Sequence, residues 1–250
     1  MNNILIIVAS GKSTRFGGFP KAFCKLGKEM NIENTIKRAA PYFDKIYVGV
    51  NPKTYIQFKD RIEGAELFSI ITGHGDAHSL LKCMNYVSKQ EEYIDYLAVC
   101  WGDAVFVDSF PFEQILFDKE NANAQVACAY DRRPYAWFDS DDKNRIIKSH
   151  FAREEGFVEN GIHDQSLFLF KADFIFEYLD RYRETLGIPY DADDNITGLY
   201  EMKLLRFFEY LYSVDKNIGA KCVEIASDKV LSFNTKEELE NIKIFLNLCN

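Results

Sequence analysis

No acidic residue occurs before Glu29, although the whole chain of 250 residues carries 38 Asp and Glu against 30 Lys and Arg, for a net charge of -8. The overall acid excess argues against a nucleic-acid-binding face and a polybasic membrane patch. The acid-free end has five cations, Lys12, Arg15, Lys21, Lys25 and Lys28, and so offers a place for an anion. Long apolar runs are also missing. Nothing reaches the roughly 20 residues of a membrane helix, and Ile4–Ala9 is too short, and lacks a basic flank, for a signal-peptide core. The six cysteines (Cys24, Cys83, Cys100, Cys128, Cys222 and Cys249) include no C-x-x-C pair and no zinc-site spacing. Most stand in apolar runs, where a free thiol behaves as a small hydrophobe; a reducing, cytoplasmic compartment is expected. His74, His78, His150 and His163 show no metal-ligand spacing.

What is present is a regular alternation of short Ile- and Val-rich runs with helix-period segments. Ile4–Ala9, Lys45–Val50, Glu66–Ile71, Tyr96–Cys100 and Gln125–Tyr130 read as strands. Asn31–Ala40, Thr54–Glu63, Ala77–Lys89 and Ser109–Phe117 read as the intervening helices. Repeated β-then-α units predict an α/β fold with a mostly parallel central sheet flanked by helices. Ligands of such sheets sit beyond the carboxyl ends of the strands. The second half is less regular, with strands over Arg145–Ser149, Ser166–Phe170 and Lys221–Ile225, and helices over Phe174–Thr185, Gly198–Ser213 and Thr235–Leu248. Arg132–Asn144, Arg153–Gly161 and Gly187–Asn195 read as loops. Thr235 and Glu238 have capping-box spacing. No internal repeat, low-complexity segment or long linker appears, so 1–250 is expected to be one domain.

The most informative stretch, Ala9 to Lys21, reads ASGKSTRFGGFPK and directly follows a buried strand. Small residues let the backbone approach an anion, and successive N–H groups line a phosphate nest. Arg15 adds a charged fork for phosphate oxygens, and Lys21, fixed by Pro20, adds a compact charge. Two commoner phosphate loops are excluded: a P-loop needs glycine where Ile6 stands, and Ser13 breaks the dinucleotide fingerprint.

This stretch resembles the G-x-G-x-R…P-K signature of the nucleotidyltransferases that make nucleotide-activated sugars and alcohols on a GT-A-like, Rossmann-like fold. The resemblance implies that the backbone of Ala9, Ser10 and Gly11, with Lys12 nearby, holds a nucleoside triphosphate whose phosphates Arg15 and Lys21 neutralise. Ser13 departs from the signature's second glycine. The resemblance extends over nearly the whole chain and implies an NTP-binding half (1–130) and an acceptor-binding half with a closing helix (131–250).

Asp103 follows the strand ending at Cys100, and a carboxylate there projects into the ligand crevice. Mg2+ takes one or two carboxylates plus substrate phosphates. The family's Gly-Asp pair implies Asp103 as ligand of Mg2+, or of Mn2+ in its place. Leu231–Leu239 resembles the segment that supplies a second ligand in some relatives, which points to Asn234; an asparagine before a helix is equally a cap. Gly73–Leu80 resembles the family's base-contacting stretch, placing Gly75 and Asp76 at the base. Ionised Asp76 only accepts hydrogen bonds, and cytosine presents an amino donor, so CTP is expected over other NTPs. Asp76 as a plain cap of the following helix is the competing reading.

On the acceptor side, Gly161–Phe170 and Asn195–Glu201 resemble pocket segments, which makes His163, Asp164, Gln165, Tyr200 and Glu201 candidates. Arg132, Arg133 and Lys148 are candidates for the acceptor's phosphate or carboxylate; solvated surface cations are the bland alternative. The expected reaction is attack of a small phosphorylated acceptor on the α-phosphorus, with no nucleic-acid or membrane partner; an oligomer is compatible with all of this. A phosphate monoester is mostly ionised at neutral pH, so no general base is needed. Three rivals stay open: a sugar-1-phosphate acceptor, a GT-A glycosyltransferase, whose D-x-D is missing at Gly102–Val105, and a non-catalytic nucleotide sensor.

Overall fold

The structure is a computed structural model describing residues 1–117 and 119–248. Cys249 therefore lies outside the described residues; the other five cysteines are free thiols. The elements in chain order are β1 (Asn3–Ala9), β2 (Lys25–Leu26), β3 (Glu29–Met30), α1 (Asn31–Ala39), β4 (Lys45–Val50), α2 (Pro52–Phe58) and β5 (Glu66–Ser69). There follow α3 (Asp76–Val87), β6 (Tyr96–Trp101), β7 (Ala104–Phe106), α4 (Phe110–Phe117), β8 (Ala124–Arg132), β9 (Ala136–Ser140) and β10 (Ile146–Phe151). The remainder is α5 (Ala152–Glu155), β11 (Asn160–Lys171), α6 (Ala172–Thr185), α7 (Leu204–Val214), β12 (Lys221–Glu224), β13 (Val230–Ser232) and α8 (Lys236–Phe245).

The expected architecture is observed: a mostly parallel central sheet with helices on both faces. Its centre, in the order β6-β1-β4-β5, is parallel throughout. β1 is buried on both sides, with Ile4, Ile6 and Val8 entering one core and Leu5 and Ile7 the other, as a period-2 strand requires. The first core is covered by α3, α6 and α7, the second by α1, α2 and α4. Antiparallel pairing enters with β11. The carboxyl-terminal part of β11 pairs with β6, and its other edge runs along β8; its amino-terminal part meets β9 at Ile162. A register shift between Asp164 and Phe168 bends the strand, with Ser166 at φ 56°.

Three sequence expectations need correction. Arg132–Asn144 is not all loop, because Ala136, Trp137 and Phe138 are buried and form β9. Arg153–Gly161 contains the end of the single turn α5 and the start of β11. Helix α7 begins at Leu204, not Gly198. The residues just before it are held extended by tertiary hydrogen bonds: Met202 N–H donates to His74 O (3.0 Å), and Ala77 N–H donates to Met202 O (3.1 Å). Local propensity yields there to a pairing with residues more than a hundred positions away.

A third, smaller core sits under α8. Leu239 and Ile242 pack with Phe16, Cys24, Leu26, Val105 and Phe233, so the closing helix rests on the end of the Ala9–Lys21 stretch. Among the described residues, no helix is long and apolar enough to cross a membrane.

Candidate active site

A cleft of about 390 Å³ opens at the carboxyl ends of β1 and β6. Its lining includes Ala9, Ser10, Gly11, Lys12, Arg15, Lys21, Gly75, Asp76, Asp103, Glu201 and Asn234. The fold thus brings together residues read from five separate stretches of sequence.

The loop after β1 turns because Ser13 adopts the left-handed region (φ 49°, ψ 38°). A serine there costs about 1–2 kcal/mol relative to the right-handed region, which is the physical sense of the glycine that the family signature carries. Ser13 O then accepts from Phe16 N–H (2.9 Å) and Gly18 N–H (3.0 Å), closing the turn. The N–H groups of Gly11, Lys12 and Ser13 donate to no acceptor among the described residues. They are left for a ligand, in the manner of an anion nest. Arg15 is exposed along the cleft and pairs with no described residue. The carbonyl of Ser10, by contrast, is held: the Thr72 hydroxyl donates to it at 2.8 Å and the Asn51 side-chain amide at 3.3 Å.

Lys21 heads a short 3-10 turn after Pro20. Its ammonium is ion-paired with Asp103 and reaches Phe233 O (3.3 Å) and Asn234 Oδ1 (3.4 Å). The two metal-ligand candidates, Asp103 and Asn234, come together through a two-stranded sheet that the sequence reading missed. β13 pairs antiparallel with β7, with Ser232 opposite Ala104, so Phe233 and Asn234 emerge beside Asp103. Asn234 is not the cap of α8. That role falls to Thr235, whose hydroxyl accepts from Glu238 N–H (3.2 Å), while the Glu238 carboxylate accepts from Thr235 N–H (3.1 Å). The Asn234 amide is consequently free to face Lys21. Gly102 is required by close approach: a Cβ there would sit 2.7 Å from the Cβ of Ala9.

At the other end, Gly75 has φ 106°, and a side chain there would collide with the backbone of Met202. Asp76 caps a helix, but not the one expected. Its Oδ1 accepts from Leu204 N–H at 2.7 Å, at the start of α7. Its side chain stays accessible from the cleft. The protein around it desolvates the carboxyl and raises its pKa to about 6, against the bonds from Leu204 and Ala77 and with help from the charges of Glu201 and Asp164. Thr72, absent from the sequence reading, also lines this end. Its one hydroxyl proton is committed to the carbonyl of Ser10, so it can only accept from a ligand. The rule that ligands gather past parallel strand ends would have found it, since it follows β5 by three residues.

The acceptor candidates are divided. Glu201 lines the cleft and meets Arg153 at 3.4 Å; Tyr200 is exposed beside it. Asp194, not anticipated, lines the cleft and pairs with Lys12 at 2.9 Å. His163, Asp164 and Gln165 lie on the bend of β11, outside the lining. Burial raises the pKa of Asp164, and the charge of Asp103 adds to this while His163 and Ser166 N–H oppose it. Asp164 is therefore within electrostatic reach of Asp103. Gln165 is buried and donates to Ala226 O at 3.3 Å. Arg132, Arg133 and Lys148 are exposed and away from the cleft; Arg133 stacks over Phe157. His74 and His78 serve structure: His78 accepts from His74 N–H (3.1 Å) through Nδ1 and bonds Tyr190 O (3.0 Å) through Nε2.

An unpaired donor loop, three nearby cations and a carboxylate thus lie together at the head of a parallel sheet. The chain belongs to the MobA-like NTP transferase domain family, which matches residues 5–187; it is a nucleotidyltransferase. Solved structures agree on the fold. A nucleoside-diphosphate-sugar pyrophosphorylase from Vibrio cholerae superposes with a TM-score of 0.72 at 16% identity, covering 96% of this chain and 99% of that one. The CTP:phosphocholine cytidylyltransferase of Streptococcus pneumoniae gives 0.68 at 13% identity, covering 98% and 100%. The inositol-1-phosphate CTP transferase of T. maritima gives 0.67 at 13%, covering 99% and 96%. No curated protein matches the chain in sequence.

Proposed function

We propose that this cleft transfers a cytidylyl group from CTP to a small phosphorylated acceptor, with pyrophosphate as the second product. The observation that carries the reading is the meeting of Lys21, Asp103 and Asn234 beside the unpaired N–H groups of Gly11, Lys12 and Ser13. An acceptor phosphate oxygen attacks the α-phosphorus, the bond from that phosphorus to the bridging oxygen breaks, and pyrophosphate departs. The acceptor oxygen is already ionised near neutral pH, so no side chain need remove a proton. What the residues supply is alignment and fixed positive charge. The N–H groups and Arg15 hold the phosphates, and Lys21 stabilises charge on the transferring and leaving groups.

Asp103, Asn234 and the carbonyl of Phe233 surround one ammonium. Such an all-oxygen set fits Mg2+, which completes its shell with phosphate oxygens and water. Asp103 and Asn234 would hold it, and it would supply further charge neutralisation at the phosphates.

Two features support cytosine. Thr72 and ionised Asp76 both present acceptors to the cleft, and two of the similar structures are of enzymes named for CTP. For the acceptor, the acidic groups Asp194 and Glu201 suit a molecule carrying an ammonium as well as a phosphate. In length and segment order the chain resembles the cytidylyltransferases that act on L-glutamine phosphate in capsule polysaccharide phosphoramidate modification, and L-glutamine phosphate is the acceptor proposed. Similarity to a sugar pyrophosphorylase keeps a sugar 1-phosphate as the second reading. A pyrophosphate-release screen of four NTPs against L-glutamine phosphate, phosphocholine and sugar 1-phosphates tests both. Turnover with CTP and L-glutamine phosphate is expected; a UTP preference, or turnover only with sugar phosphates, rejects the reading.

A further inference from the structure

Strand β7 has one edge on β13, while its other edge faces α1, a helix, which cannot continue a sheet. The carbonyls on that second edge are nevertheless met. Asn31, fully buried, donates from Nδ2 to Gly102 O at 3.1 Å and to Ala104 O at 2.9 Å. Asn34, one turn further along the same helix face, donates to Phe106 O at 3.1 Å. Two asparagines thereby replace a missing strand. The Asn31 bonds have a particular location: the two carbonyls are those immediately before and after Asp103. The oxygen of the same amide, Asn31 Oδ1, is buried without a partner. An arrangement selected for packing alone would not leave it so, since a buried unsatisfied acceptor is destabilising.

We infer that Asn31 is a positioning residue for Asp103: it clamps the peptide groups on both sides of that carboxylate and so fixes where the cation held by Asp103 and Asn234 sits. This rests on the function proposed above. Asn34 is the built-in control, because its bond is of the same kind but lies three residues from Asp103. Geometry imposed from behind a ligand typically changes metal affinity by 10–100-fold.

The test measures Mn2+ binding to the protein–CTP complex by electron paramagnetic resonance, CTP binding in EDTA, thermal unfolding and pyrophosphate release. For Asn31→Ala, Mn2+ affinity and turnover are expected to fall about tenfold or more, with CTP binding in EDTA unchanged. For Asn34→Ala, Mn2+ affinity and turnover are expected to stay near wild type despite a comparable loss of stability. Equal effects of the two variants, or wild-type Mn2+ affinity in Asn31→Ala, overturn the inference. If Asn31→Ala does not fold, Asn31→Ser, which keeps one donor, must still weaken Mn2+ binding, and equality with wild type there overturns it. A wild-type complex that holds no Mn2+ rejects the metal reading itself, a result that no Asn31 variant can mimic.

Discussion

The cations of the cleft, Lys12, Arg15 and Lys21, stand in a single continuous loop; its acidic side draws Asp76 from one segment, and Asp194 and Glu201 from another more than a hundred residues on. The positive side is made locally, by a buried strand, a left-handed serine and two glycines in positive-φ turns. The negative side exists only because α3, α7 and the loop before α7 fold against one another. Two of the cations are paired, Lys12 with Asp194 and Lys21 with Asp103, while Arg15 has no described partner. An entering polyanion therefore meets one free cation and two that it must share with carboxylates. A cleft that offers both charges suits a substrate pair that is itself divided, phosphates against amino groups.

The strongest way to break this contrast is to remove the pair of Lys21 with Asp103. Lys21→Ala and Asp103→Asn are each expected to lower pyrophosphate release about a thousandfold, and Arg15→Ala about a hundredfold, the scale for a lost preorganised electrostatic contact. Near-normal steady-state rates in all three would dissolve the contrast. Next in size is a support of the negative side. Burial lowers the pKa of His78 to about 4, against an ordinary value of 6.5. The unfolded chain takes up this proton below pH 6.5 and the folded protein only near pH 4, so stability is lost as pH falls through that window. The loss amounts to at most about 3 kcal/mol. Urea midpoints between pH 7 and pH 4.5 should fall in wild type and fall less in His78→Gln; parallel slopes would contradict the assignment.

A smaller effect sharpens the chemistry of the negative side. Asp76 has a pKa near 6, so it accepts hydrogen bonds above that pH and donates one below it. The ratio of kcat/KM for CTP over UTP is expected to narrow about tenfold between pH 7.5 and pH 5.5, on the scale of one hydrogen bond. In Asp76→Asn the ratio should be low and flat with pH; a flat profile in wild type would refute the role. The smallest expected change marks the outer limit of the site. Arg132→Ala and Lys148→Ala should each leave turnover within about twofold, as surface changes usually do, and a large KM increase for the acceptor would extend the acceptor-binding surface to β8 and β10.

The same division decides what could be read from sequence. Lys12 and Asp103 were legible because each follows a buried strand within three residues, and a strand end fixes where its neighbours point; Arg15 and Lys21 were legible from the spacing of the loop that follows β1. The parallel centre was legible because β1 and β4 are continuous apolar runs buried on both faces. β9 was not, because charged and proline-bearing neighbours around Ala136–Ser140 outweigh three buried side chains. Nor was the start of α7: Gly198–Lys203 has helical composition in part, but its backbone is claimed by Gly73–Ala77. Thr72 had only its place past a strand end to mark it, and Asn31 carries no local mark at all; its importance comes from carbonyls at Gly102 and Ala104 that only the folded chain brings near.

The pairing of His74–Ala77 with Leu199–Leu204 has a consequence for how the two halves of the protein communicate. His74, Gly75 and Asp76 sit where a base is expected, yet four bonds bind this stretch to the other segment: His74 O to Met202, Met202 O to Ala77, Asp76 to Leu204, and His74 Nε2 with Leu199 O, with Gly75 closing the gap by having no side chain. Glu201, on the acceptor side, lies in the middle of that seam. On the function proposed above, a displacement at Glu201 would therefore reach Gly75 and Asp76 through one short span of shared backbone.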